Sequence, residues 1–203
     1  MTGVQTYALP ICRFNDIAIT GSVQANAWQA TLVGKELVGE MSWRGPGKGK
    51  ITARMKNLVI PAAAPDHAMP AADKSEPVEL PALDIKADNF QLRDMQLGKL
   101  DLSANLSGAD WNLERLNLTN ADATLNIDGV WKNWQTQSRT DVNVDLDVVD
   151  IGKFLLRLGH PEGIKRGTAK LKGALTWAGS PAALDYTTLS ARNLTVKAAK
   201  GQF

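Results

Sequence analysis

The sequence predicts a mainly β protein of antiparallel strands with one short helix. Three observations carry that prediction. Apolar and polar residues alternate with period two along most of the chain, the mark of strands with one apolar face. Short turns rich in Gly, Pro and Asn separate the alternating runs. One segment near residues 151–158 switches to a helical period with a cap at each end.

The elements follow in chain order. Met1 to Ile11, MTGVQTYALPI, has neither a basic n-region nor an apolar core, so it is no secretory signal. It has no strand or helix period either. We expect residues 1–11 to be translated adapter sequence, with the native protein beginning upstream, and exclude them from the fold. Residues 12–60 hold the N-terminal strands: Ile17 with Ile19, Trp28 with Leu32, then Ile51, Ala53 and Met55 alternating with Thr52, Arg54 and Lys56. Arg44 to Lys50, RGPGKGK, is a turn between two of them. Residues 61–81 carry five of the nine prolines and six alanines, which makes a stiff loop or linker. The same strand pattern resumes after it, so it is not expected to separate independent domains.

Residues 82–203 continue the sheet. Leu83 with Ile85, and Phe90 with Leu92, give two weak runs. Leu100, Leu102, Ala104 and Leu106 alternate with Asp101, Ser103 and Asn105. Ala123, Leu125, Ile127, Gly129 and Trp131 alternate with Thr124, Asn126 and Asp128. The clearest run is DVNVDLDV, with Val142, Val144, Leu146 and Val148 on one face and four polar residues on the other. Asp150 can cap a helix whose apolar stripe is Ile151, Phe154, Leu155 and Leu158, with Gly159 at its C-terminal end and Pro161 blocking continuation. That helix is too short to stand without packing, and we expect it to cap an edge of the sheet or act as a lid. Ala169, Leu171, Gly173 and Leu175 form the next run, and Leu194 with Val196 the last. About ten strands result, mostly antiparallel. KAAKGQF ends the sequence as though a strand were cut. A loose repeat, Asn followed by apolar, polar, apolar, recurs at Asn57, Asn89 and Asn193, and Asn117 begins one.

Composition and motifs exclude more chemistry than they suggest. The 23 basic and 21 acidic residues are too balanced for an electrostatic nucleic-acid binder. One cysteine, Cys12, rules out a disulfide framework within the chain. Two histidines, His67 and His160, leave little for metal or acid–base work. Asp141 to Asp145 imitates the start of an EF-hand loop, but Leu146 stands where Gly is required and Gly152 where Glu is. Gly45, Gly47, Lys48 and Gly49 lack the spacing and the hydroxyl of a phosphate loop. There is no nucleophile elbow. We expect no enzyme activity and no cofactor or metal. The six tryptophans, Trp28, Trp43, Trp111, Trp131, Trp134 and Trp177, read as core or sheet-edge packing before sugar stacking.

Two stretches carry a family resemblance. The first runs from Phe90 to Trp131, with Ala87 just before it, and has the form A-x-x-F-x-L, LG-x-L-x-L-x-A, W-x-L-x-x-L-x-L, A-x-L-x-x-x-G-x-W. The second, more specific, runs from Val148 to Leu184: a helix ending L-x-x-LG, then G-x-A-x-L-x-G-x-L-x-W-x-GSP. Together they resemble the C-terminal region of the YhdP family, within the AsmA-like group of bacterial envelope proteins. His160 stands before Pro161 where the family usually has an aromatic. The resemblance implies an elongated, twisted sheet curved into an apolar groove, placed in the periplasm and anchored in the inner membrane by an N-terminal segment missing here. It implies a part in moving phospholipid between the inner and outer membranes, with acyl chains as the partner. It carries over no catalytic residues or cofactors.

The residues themselves leave two ways to bury such a face: two packed sheets, or one curved sheet around acyl chains. The groove candidates are Leu102, Leu106, Leu125, Ile127, Val142, Val144, Leu146, Leu171 and Leu175. The alternatives are a structural or carbohydrate-binding β-sandwich, which would show several exposed tryptophans on one surface, and an outer-membrane barrel fragment, which would close and carry aromatic girdles.

Overall fold

A computed structural model describes residues 17–61, 80–133, 138–160, 167–181 and 186–199. They form β1 (Ala18–Gln24), β2 (Ala27–Val33), β3 (Leu37–Arg44), β4 (Lys50–Ile60), β5 (Ala82–Leu92), β6 (Met95–Ser107), β7 (Asp110–Thr119), β8 (Ala123–Asn133), β9 (Ser138–Val148), α1 (Ile151–Arg157), β10 (Thr168–Ala178) and β11 (Ser190–Ala199). All eleven strands belong to one sheet, in sequence order. β1 and β11 lie at opposite ends, so the sheet is open and not closed into a barrel. The expected adapter segment, residues 1–11, lies outside the described residues.

Nine of the ten seams are antiparallel. The exception is β4 against β5, which is parallel, from Lys50 opposite Ala82 to Ile60 opposite Leu92. The chain must therefore return along the whole strand between them, a distance of roughly 36 Å at about 3.3 Å per residue. The 21 residues from Pro61 to Pro81 are ample for that crossover, whereas a tight turn would not be. Residues 62–79 lie outside the described residues. The Pro/Ala stretch thus joins two neighbours within one sheet.

The loose Asn repeat has a structural meaning. In β4, β5, β7 and β11 the apolar face is read with spacing three and then two: Met55, Leu58, Ile60; Ala87, Phe90, Leu92; Leu113, Leu116, Leu118; Ala191, Leu194, Val196. The extra residue at each place is a β-bulge, visible as a shift in register. Asn193 takes φ 52 there, a left-handed conformation that Asn tolerates better than most residues. Opposite the bulges stand Gly39, Gly98, Gly129 and Gly173. A Cβ on Gly129 would sit 2.2 Å from the Asp141 carbonyl oxygen, so the strands approach closely only because the side chain is missing. Bulges bend a strand and raise its right-handed twist. Four of them make a strongly twisted sheet.

The bulges also explain where the sequence reading departs from the structure. The runs at Leu83–Ile85 and Phe90–Leu92 are one strand, β5, interrupted by a bulge. β7 shows no continuous alternation for the same reason. β3 adds a further strand because Gly39 on its apolar face and Val38 on its polar face blur its pattern.

The core is thin. Among the described residues thirteen hydrophobic side chains are buried, and four of them are alanines. One cluster gathers Leu32, Met55, Ala87 and Leu100 near the middle of the strands. A second gathers Ala104, Trp111, Leu113 and Trp131 toward one edge.

Candidate functional site, an uncovered apolar face

The pairing places the nine groove candidates on one face. Leu125, Leu146 and Leu171 lie side by side across β8, β9 and β10. Ile127 and Val144 form the next row, and Val142 and Leu175 the one after. Leu102 and Leu106 join them from β6, opposite Leu116 and Trp111 of β7. Val142 is buried, Leu106 is 43% exposed and the other seven are half-buried. The described residues supply no second sheet to cover them. An aliphatic surface continuous over several strands exceeds the scattered apolar exposure of ordinary soluble domains.

Sequence reading missed part of this face. Met41, Leu58, Phe90, Leu116 and Leu118 extend it across β3 to β7, each opposite an apolar partner. For Leu58, Phe90, Leu116 and Leu118 the signal is the three-then-two spacing, which a strict period of two overlooks, whereas Met41 keeps a period of two with Leu37, Gly39 and Trp43.

The opposite face is a ladder of polar groups that satisfy one another. Lys172 Nζ reaches Asp145 at 2.9 Å, Asn117 Nδ2 donates to Asn126 at 2.7 Å and Arg115 reaches Asp101 at 2.9 Å. Arg54 donates to Asp84 at 2.9 Å and holds its carboxyl below the usual range, against a smaller opposing effect of burial. At Asp141 burial pushes the carboxyl up, but hydrogen bonds from Arg139 and Thr176 outweigh it and the net shift is downward. Ser103 and Asn105 lower Glu114 in the same way. Lys170 and Lys172 are raised by hydrogen bonds to Asp147 and Asp145. A depression of about 700 Å³ lies on this polar face, between Arg54, Lys86, Lys99 and Asp101. Charged walls suit it to water and not to acyl chains.

The helix sits at one edge. Asp150 caps it by accepting from the Lys153 backbone N–H at 3.1 Å. At the other end Gly159 N–H reaches the Leu156 carbonyl and His160 N–H the Leu155 carbonyl, a Schellman closure with Gly159 at φ 82. Ile151, Phe154, Leu155 and Leu158 are half-buried, and α1 touches β6. Arg157 fastens it: Nε and Nη2 both donate to Asp122 Oδ2, and Nη1 donates to the Gln96 carbonyl at 3.2 Å. Asp122 is 5% exposed, and Arg157 is the cation that pairs with it there.

A family model described as YhdP protein matches residues 4–203 of the chain. The chain belongs to the YhdP family. No curated protein and no solved structure matches it.

Within that family, the geometry also bears on the alternatives. A sandwich needs a second sheet, and the described strands make one. A sugar platform needs exposed tryptophans, and Trp111, Trp131 and Trp177 are buried while Trp28 and Trp43 are half-buried. Trp134 lies outside the described residues. Among the described residues no group of three or more His, Cys, Asp or Glu side chains could hold a metal ion. No described helix is long and apolar enough to cross a membrane.

Proposed function

We propose that this chain is a section of a lipid conduit in the periplasm of a bacterial envelope, moving phospholipid between the inner and outer membranes. The observation that carries the reading is the uncovered aliphatic face spanning β2 to β10, together with YhdP family membership. Acyl chains lying on that face complete the burial that the thin core leaves undone. Each methylene removed from water contributes roughly 0.8 kcal/mol, so many shallow contacts hold a lipid with no polar recognition. Leu102, Leu106, Leu125, Ile127, Val142, Val144, Leu146, Leu171 and Leu175 form the floor. Ile151, Phe154, Leu155 and Leu158 cap its edge. Anchorage in the inner membrane is assigned to a segment preceding this one. The function is binding and passage, with no catalytic residue and no cofactor assigned.

Photo-crosslinking in cells, in the full-length parent protein, tests this. A photoreactive residue replaces Leu146 or Leu125 on the apolar face, with Asp145 or Asn126 as controls on the polar face. Phospholipid adducts confined to the apolar positions are expected. Silent apolar positions, with normal expression and adducts on a known lipid-binding control, would overturn the reading.

A further inference from the structure

The two long edges of the apolar face differ. Trp28, Trp43, Trp111, Trp131 and Trp177 all occupy the last or second-last inward positions at one edge, where β2 and β7 begin and β3, β8 and β10 end. Trp28 faces Trp43, and Trp111 faces Trp131. Four of the indole N–H groups are committed outward, toward the turns. Trp43 donates to the Lys48 carbonyl at 2.7 Å and Trp111 to the Pro81 carbonyl at 2.9 Å. Trp131 donates to Ser138 Oγ at 2.6 Å and Trp177 to the Ser180 carbonyl at 3.1 Å. Each ring thus lies in the apolar layer with its polar corner at the boundary, the arrangement aromatic residues take where hydrocarbon meets headgroups. The other edge ends in aliphatic side chains, among them Ile60, Leu92, Met95, Ala123 and Val148.

The charges differ in the same sense. Beside Trp43 the turn from Arg44 to Lys50 holds three cations and no acid. Lys132 and Arg139 flank the next turn after Trp131, sharing Asp141 on the polar face at 3.8 and 2.7 Å. At the aliphatic edge opposite charges come as neighbours: Lys35 with Glu36, Arg93 with Asp94, Arg157 with Asp122. Among the described residues the tryptophan edge carries five cations, Arg44, Lys48, Lys50, Lys132 and Arg139, against three acids, Asp84, Asp110 and Asp141, with Lys50 3.8 Å from Asp84, so an excess of positive charge remains there for an anionic group.

We infer that the tryptophan edge is a headgroup-level site. An amphiphile with an anionic phosphate lies on the apolar face with its phosphate and glycerol beside the tryptophans and the Arg44–Lys50 turn, and its acyl chains run toward the edge that α1 caps. This rests on the proposed function and adds to it the orientation of the ligand and the residues that set it.

Tryptophan quenching tests it. The full 203-residue chain, carrying Trp134→Phe so that emission comes from the edge row, is incubated with phosphatidylglycerol vesicles. The lipid is brominated either near the glycerol or near the chain terminus. Protein is then separated from the vesicles, its bound phosphorus measured and its fluorescence compared with that of protein loaded with unbrominated lipid. Bromine near the glycerol is expected to quench at least about twofold more than bromine near the terminus. Equal or reversed quenching, or bound lipid with no quenching, overturns the orientation while lipid binding stands. Protein that carries no phosphorus overturns the proposed function itself. A second variant, Arg44→Glu with Lys48→Glu and Lys50→Glu, leaves the Trp43 bond intact because it uses the Lys48 backbone. It is expected to abolish any preference for phosphatidylglycerol over phosphatidylcholine at low ionic strength. An unchanged preference would overturn the role given to that turn.

Discussion

The seams from β8 through β10 and those from β3 through β7 are built differently. β8, β9 and β10 pair without a shift in register over ten or more residues. There the apolar rows are straight and Leu125, Leu146 and Leu171 line up. Between β3 and β7 three of the four seams are interrupted by a bulge, and the fourth is the parallel one. A straight run gives a smooth aliphatic platform. A bulged run gives twist, because each extra residue bends its strand. The difference teaches how one layer can present an apolar face without a second layer to shape it. Curvature is written into the backbone by bulges set opposite glycines, and does not depend on packing from above.

The largest expected effect comes from breaking the junction of the two regions. Gly129 belongs to the straight β8–β9 seam on one side and faces the β7 bulge on the other. A side chain there meets the Asp141 carbonyl at 2.2 Å and Val142 Cα at 2.7 Å, both backbone. Gly129→Val is expected to cost about 3 kcal/mol, at the upper end of overpacking in a close-packed site. Hydrogen exchange should show faster opening of β8 and β9, with β3–β5 little changed. Uniform acceleration across the sheet would mean that the two regions are one cooperative unit.

Next comes the clamp that ties α1 across the edge. Arg157→Ala leaves Asp122 buried with an uncompensated charge. The expected loss is about 2 kcal/mol, less than for a fully buried pair because the Arg157 side chain keeps 25% exposure. Asp122→Asn in the same chain should recover part of it. A double-mutant cycle with no coupling would show that the pair does not hold the helix.

The bulges themselves are tested at Asn193. With φ 52 it should accept Gly at little cost, whereas Asn193→Val forces a β-branched residue into the left-handed region for about 1–2 kcal/mol. Exchange of the β10–β11 amides reads the difference. Equal behaviour of the two variants would mean that the bulge relaxes away.

The same contrast decides what could be read from sequence. DVNVDLDV alternates without interruption, so β9 and its inward Val142, Val144 and Leu146 were legible from periodicity alone. So was α1, because Asp150, the apolar stripe and Gly159 are local signals that tertiary packing does not override. β5 was read as two pieces because the two residues between Ala87 and Phe90 break the period. The parallel seam was illegible in principle: nothing in residues 50–60 or 82–92 records the direction of the neighbour, and only the length of 61–81 permits it. The tryptophans were visible one by one. That five of them share an edge depends on strand register, which follows from pairings far apart in the chain.

The smallest expected effect, and the one that separates the regions by pH, concerns one carboxylate in each. Asp84 sits on the parallel β4–β5 seam and Asp141 between β8 and β10, and both carboxyls are lowered in the folded chain. A carboxylate lowered on folding stabilises the fold above its unfolded pKa of about 4 and loses that contribution as pH falls through the folded value. Stability should therefore be insensitive to these groups from pH 7 to about 5, and fall below about pH 4. Because both groups remain partly exposed, each contribution is expected to be about 1 kcal/mol or less. Comparing urea midpoints of the parent chain with Asp84→Asn and Asp141→Asn should show a gap near neutral pH that closes in acid. Hydrogen exchange assigns each gap to its own seam. A gap that persists at the lowest pH would mean that these side chains act by shape and hydrogen bonding and not by charge. The polar ladder would then be a neutral scaffold behind the apolar face.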